Sequence, residues 1–172
     1  MSKLILVILY SLTAGIFLLC NLTASTKPPF SSGNGNIAII FVLILIPITV
    51  SIIWILSILL RHLEISKKYL NSLILFLISH ICFGIFYQYN KLDDYRDMLA
   101  NAYFDLMGFH DKEYIHMITV GFSNQLNNQY FNINTWFVFL SFTILSSLLV
   151  NHMRRIIKHP TKSELQPEKW SL

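Results

Sequence analysis

Apolar residues fall into four long runs, at residues 4–22, 37–60, 69–90 and 133–153. At about 1.5 Å per residue the first is roughly 28 Å long as a helix, which matches a hydrocarbon core about 30 Å thick. The second, rich in Ile and Leu with one Trp and one Pro, is the clearest of the four. The third holds no formal charge but is interrupted by Asn71, Ser72, Ser79 and His80. The fourth follows an Asn/Gln-rich stretch and stops against Arg154 and Arg155. The apolar residues are bunched into uncharged runs rather than spread at core periodicity. That pattern predicts an all-α integral membrane protein, one domain of four transmembrane helices.

Residues 91–132 follow a different pattern. Leu92, Tyr95, Leu99, Ala102, Tyr103, Leu106, Met107 and Phe109 recur at spacings of three and four, while Asp93, Asp94, Arg96, Asp97, Asn101 and Asp105 take much of the remainder. This predicts an amphipathic helix of about four turns, stopped at Gly108. Asp111 then caps a second helix through Tyr114, Ile115, Ile118 and Phe122, with Glu113 complementing its dipole. After Gly121 the segment SNQLNNQYFN turns polar and leads back to the fourth run. Two such helices do not bury their apolar stripes completely against each other. They are therefore expected as a helical cap on the outer ends of the spans or in the headgroup layer.

The remaining connections are simpler. KPPFSSGNGN, with two prolines and two glycines, reads as a flexible connector. Residues 61–68 are few enough to make spans two and three antiparallel neighbours. The tail at 154–172, with Pro160, Pro167 and charges of both signs, is expected to lack a fold of its own.

Composition narrows the reading. Apolar residues make up 54% of the chain and charged residues only 13%, against about 25% charged in a soluble domain; the mean hydropathy is +0.55. These values argue against a disulfide-stapled secreted domain, a disordered tail or a nucleic-acid-binding domain. The formal charge of +4 does not change this, because the basic residues sit beside the spans. With the N-terminus inside, the inner segments carry nine of the thirteen basic residues and the outer segments four. Positive residues are retained on the cytoplasmic face, so both termini are expected there, in a cell membrane that the Ile, Leu and Asn abundance suggests is bacterial. Residues 91–132 carry three positive and six negative charges. Tyr87, Tyr89, Tyr130 and Trp136 mark one water interface and Tyr69 the other. Lys3, the first apolar run and the small residues Thr23, Ala24 and Ser25 also resemble a cleavable signal peptide, although the run is longer than such a segment requires.

Candidate chemistry is sparse. His80 is the one ionisable His, Lys, Arg, Asp or Glu deep in a span, and an intramembrane ionisable group is a functional-site hypothesis by default. Its plainer reading is a neutral imidazole bonded to a hydroxyl such as Ser141 or Thr143 on a neighbouring helix. Asn71 and Ser79 are further polar candidates in the same span. His110, Glu113 and His116 include one Glu-x-x-His pairing, which places two metal-capable groups on one helix face. A metal site needs three or four ligands, so these are weak metal candidates. Asp93, Asp94 and Asp97 lie within one turn, and a basic partner surface or a cation would relieve their repulsion. Cys20 and Cys82 lie at different depths, about 10 Å and 3 Å outward of their midpoints, and are expected as free thiols. Pro47 should bend the second span. Ser11 with Gly15, and Thr143 with Ser147, are small-residue pairs that would let helices approach closely.

No span carries paired carboxylates, an Arg/Asp pair or a nucleophile beside a base, which disfavours an intramembrane enzyme or ion-coupled transporter. The expectation is a non-catalytic four-pass protein without cofactor that acts by contact. It would work as an accessory subunit, regulator or immunity-type protein, with a membrane or envelope protein, or its own copies, as partner in the lipid bilayer. The alternatives are a small oligomeric channel or carrier with a polar path near His80, and a metal-dependent outer-surface enzyme.

Overall fold

A computed structural model describes residues 1–24, 36–63, 65–108 and 111–158, the side chains of 155–158 excepted. The connector at 27–35, Ser25 of the possible cleavage site, Phe109, His110 and the tail after residue 158 lie outside these residues. The described residues form helices α1 (Ser2–Leu22), α2 (Ala38–Arg61), α3 (Lys67–Met107), α4 (Lys112–Ile118), α5 (Asn127–Tyr130) and α6 (Ile133–Lys158). A single 3₁₀ turn, Asn124–Leu126, precedes α5, and no strand occurs among the described residues. Four of these helices, α1, α2, α3 and α6, are long and apolar enough to cross a membrane, as the four runs predict.

α6 is the hub. The Tyr10 hydroxyl meets Thr143 Oγ1 at 3.0 Å and Trp136 Nε1 donates to Thr13 Oγ1 at 3.3 Å, so α1 and α6 run antiparallel. Ser147 Oγ donates to the Ile53 carbonyl and Asn151 Nδ2 to the Ser57 carbonyl, so α2 and α6 run parallel. These contacts set one end of the bundle, where the chain begins and α6 finishes, against a far end where α1 stops and α2 and α6 start. The apolar core between the three helices contains Ile16, Phe17, Cys20, Ala38 and Leu45, with Phe131 and Phe139 packed against it. Phe17 meets Phe131 edge to face, with 5.4 Å between ring centroids, the arrangement favoured by the ring quadrupoles. At the near end Arg154 lies over the Trp54 ring, 4.8 Å from its centroid.

α3 lies on another face of α6. α2 and α3 do not pack along each other, despite the short connection between them. This corrects the expected neighbour relation: loop length brings two helix ends together, but side-chain fit decides which surfaces mate. The fit is at Gly84, where a Cβ would overlap Val138 Cγ2 of α6. The absence of a side chain there lets the two backbones approach. The pair Thr143 and Ser147 is likewise inside the packing, both residues being fully buried. Ser11 and Gly15 are exposed, and nothing lies within 4 Å of where a Gly15 Cβ would stand. They make no close approach within this chain.

The largest departure from the sequence pattern is the length of α3. A helix ending near Asn90, followed by a separate amphipathic helix, is replaced by one unbroken helix of 41 residues, about 60 Å long. The change from apolar to acidic residues at Lys91 brings no break in backbone hydrogen bonding. Gly108 ends the helix as expected, at φ +72°, with its N–H bonded to the Phe104 carbonyl. Asp111 caps α4 by accepting from the Tyr114 N–H at 2.8 Å. α4 closes at Ile118, short of Phe122, and packs back against the projecting part of α3 through Tyr95, Leu99, Tyr103 and Ile115. α2 continues through Pro47 as one helix, with Ser51 Oγ donating to the Pro47 carbonyl. Cys20 and Cys82 are free thiols, the first buried and the second exposed.

Candidate functional site

The polar residues of the chain collect in three places. The first is the interior of the bundle. His80 Nδ1 lies 2.9 Å from Ser141 Oγ, so of the two hydroxyls named from sequence Ser141 is the one that pairs. The His80 ring also stacks near Phe76. Ser79 is half-buried and Asn71 is exposed on the surface of α3, with Ser72 beside it. These residues are not gathered into one cavity within the chain.

The second place is the far end of the bundle, and its residues are not among the candidates drawn from the sequence. Asn127 is 1% exposed. Its Nδ2 donates to Thr23 Oγ1 at 2.9 Å and to Asn36 Oδ1 at 2.9 Å, and its Oδ1 accepts from Asn36 Nδ2 at 2.8 Å. One amide thus ties the end of α1, the start of α2 and α5. On the α3 side Asn132 Nδ2 donates to Gln88 Oε1 at 2.9 Å, Gln88 Nε2 donates to Gln129 Oε1, and Asn134 Nδ2 donates to the Gly84 carbonyl. Asn21 Nδ2 donates to the Phe131 carbonyl. Amides suit this role because each offers two donors and an acceptor without a charge to desolvate. The available signal was the run SNQLNNQYFNIN, rich in amides and free of charge, beside an apolar span.

The third place is the hairpin made by the projecting half of α3 and α4. Arg96 holds it together: Nε donates to Thr119 Oγ1 at 3.0 Å and Nη2 to the Thr119 carbonyl at 3.2 Å. Arg96 also pairs with Asp93 at 3.3 Å, and Lys91 with Asp94 at 3.1 Å. That partner raises the Lys91 pKa, first through the hydrogen bond to Asp94 and then through its charge. Asp93, Asp94 and Asp97 are all exposed. A crevice of about 220 Å³ between α3 and α4 is lined by Asp93, Arg96, Asp97, Lys112 and His116. In the apolar contact between α3 and α4, burial pushes the Tyr103 phenol up to about 12, with Tyr114 adding to the effect, and raises Tyr95 as well. Glu113 and His116 are exposed, and His110 lies outside the described residues. Among the described residues no three His, Cys, Asp or Glu side chains are grouped to hold a metal ion.

The arrangement can present a charged, shaped surface on a rigid helix. The hydroxyl–imidazole pair of Ser141 and His80 lies inside the bundle and not in this hairpin. The chain matches no known protein family, no curated protein and no solved structure.

Proposed function

We propose that the chain crosses a cell membrane four times through α1, α2, the first half of α3 and α6, with both termini in the cytoplasm, and that it acts by contact with another membrane or envelope protein. The bundle is the anchor and the α3–α4 hairpin is the recognition surface, a helical cap that projects about 25 Å beyond the membrane. The distribution of basic residues supports the orientation: Lys3, Arg61, Lys67, Lys68 and Arg154 all belong to the end where the chain begins, as the positive-inside rule requires.

One observation carries the contact reading. Within the bundle His80 pairs with Ser141, Asn134 with the Gly84 carbonyl and Asn151 with the Ser57 carbonyl, so these polar side chains find partners inside the chain. The carboxylates at 93, 94 and 97 stand exposed on the projecting helix, only two of them paired, and those with neighbours on the same helix. Such local surface pairs contribute little to stability, about 0–1 kcal/mol. An acidic face has its larger effect on which surfaces approach it and how fast. The partner surface is accordingly basic.

Photocrosslinking from position 98 or 101, both exposed on the same helix, in native membranes tests this reading. A discrete crosslinked protein that disappears with Asp93→Lys, Asp94→Lys and Asp97→Lys combined is expected. Unchanged capture by the charge-reversed protein would remove the acidic face from the reading, and no crosslink from either position would remove the contact function. A second reading, a channel formed by several copies, draws on the exposure of Asn71 and Ser72 and on the packing of the first half of α3 mainly against α6. It requires ion or solute flux through liposomes holding the purified protein.

A further inference from the structure

Residues 117–122 are built inside out for a surface that meets water. Thr119, the one polar side chain among them, is 1% exposed, whereas Met117, Val120 and Phe122 are 66%, 52% and 66% exposed. Thr119 is held inward by its bond to the Ile115 carbonyl and by Arg96. Gly121, at φ +66°, turns the chain between the two most distal apolar side chains of the segment. The height of this corner is fixed by Asn36, whose Nδ2 donates to the Phe122 carbonyl at 2.8 Å and whose Oδ1 accepts from the Ala38 N–H at 2.9 Å. Phe122 therefore lies level with the first turn of α2, where Ile37, Ile39 and Ile40 are also exposed. No Asp, Glu, Lys or Arg occurs between residues 114 and 153 to oppose contact with hydrocarbon.

From this we infer that Met117, Val120 and Phe122 form a foot that enters the interfacial layer of the leaflet from which the hairpin projects. The occupant of this apolar corner is the glycerophospholipid surface of the protein's own membrane. The inference rests on the four-pass reading, which puts Asn36 at the edge of the hydrocarbon. Apolar side chains at that level gain by leaving water for the headgroup and acyl boundary. The foot gives the hairpin two points of support, the continuous helix on one side and the lipid surface on the other. Phe104, Leu106 and Met107 are exposed too, but they stand about 15 Å farther along α3 than Arg96, out of reach of the same lipids.

Fluorescence quenching in phosphatidylcholine and phosphatidylglycerol proteoliposomes tests the inference. The native chain is labelled with an environment-sensitive nitrobenzoxadiazole at Cys82, which is exposed while Cys20 is buried. Phe122→Cys and Asn101→Cys, each combined with Cys82→Ala, carry the same label at the foot and on the projecting helix. Nitroxide lipids spin-labelled at the headgroup or near the acyl ester should quench the label at 122 several-fold more than that at 101. Deep acyl nitroxides should quench the label at Cys82. Equal weak quenching at 122 and 101, with Cys82 quenched, overturns the foot and leaves the four-pass reading standing. A blue-shifted but unquenched label at 122 shows cover by protein rather than lipid and overturns it too. An unquenched Cys82 label overturns the four-pass reading itself. Val120→Cys in the same background repeats the measurement should the change at Phe122 disturb folding.

Discussion

The bundle and the projecting hairpin are made of helices alike, but they are held by different means. In the bundle α6 packs along α2 and α3 and bonds to α1 through Thr143 and Trp136, and small or amide side chains let backbones approach and exchange hydrogen bonds: Gly84, Thr143, Ser147, Asn127. In the hairpin a seven-residue helix is held through its buried Ile115 by Tyr95, Leu99 and Tyr103 of α3 and by one arginine. A helix of seven residues does not persist alone in water, so α4 exists only while it is docked. The bundle should respond to substitutions as one cooperative body, and the hairpin should open by itself, as sparsely packed elements do.

Four substitutions or conditions sharpen that contrast. The largest effect is expected for Gly84→Leu, which drives a side chain into Val138 and separates α3 from α6. Overpacking costs about 1–3 kcal/mol in a repackable core, and more is expected here because the obstacle lies between two backbones; loss of the thermal transition in detergent is the readout. Asn127→Ala comes next. It removes the three hydrogen bonds that tie Asn127 to Thr23 and Asn36, at about 0.5–1.5 kcal/mol each, and should lower the same transition without changing the hairpin fold.

The third is confined to the hairpin and depends on pH. The buried Tyr103 favours its neutral form, with a pKa of about 12 in the folded hairpin against about 10 for a free phenol. A pKa raised on folding stabilises the folded form below the free value, and that stability is lost as pH rises through the folded one. Spin labels at positions 101 and 117 should therefore show a broadened distance distribution as pH climbs from about 10 to 12, and Tyr103→Phe should delay it. No corresponding change is expected between labels on α2 and α6. The smallest effect belongs to His80 and Ser141. A double-mutant cycle to alanine should return a coupling near the average of about 0.6 kcal/mol for interhelical hydrogen bonds in membranes; a coupling of several kcal/mol would give His80 more than a packing role.

Much of this architecture is legible in the residues because its causes are local. Apolar run length fixed the four long helices, the lack of a side chain at Gly108 allowed a left-handed stop, and Asp111 supplied a cap that needs only its own neighbours. The hydroxyl partner of His80 was narrowed to two residues by polarity and depth alone. What was hidden depends on rotation about helix axes and on which surfaces meet. Ser11 with Gly15 and Thr143 with Ser147 share one spacing, yet only the second pair is buried. Gly84, the true close approach to α6, belongs to no small-residue repeat. Asn127 sits in a stretch whose composition reads as a solvated connection, and its burial follows from the positions of Thr23 and Asn36, about a hundred residues earlier in the chain. The acidic face lay in plain view as a charge pattern, but its mounting on an extension of the third apolar helix did not, because a change from apolar to charged residues along a helix looks in sequence like an end.

That extension has a mechanical meaning. A helix without a proline, glycine or bulge at the boundary has no hinge there, and residues 85–107 of α3 contain neither proline nor glycine. A push on the outermost turns is then transmitted as tilt or twist of the same rod at His80. With an arm of about 25 Å, a tilt of about 10° swings the tip by roughly 4 Å, and in reverse a small shift of α3 along α6 reorients everything the rod carries.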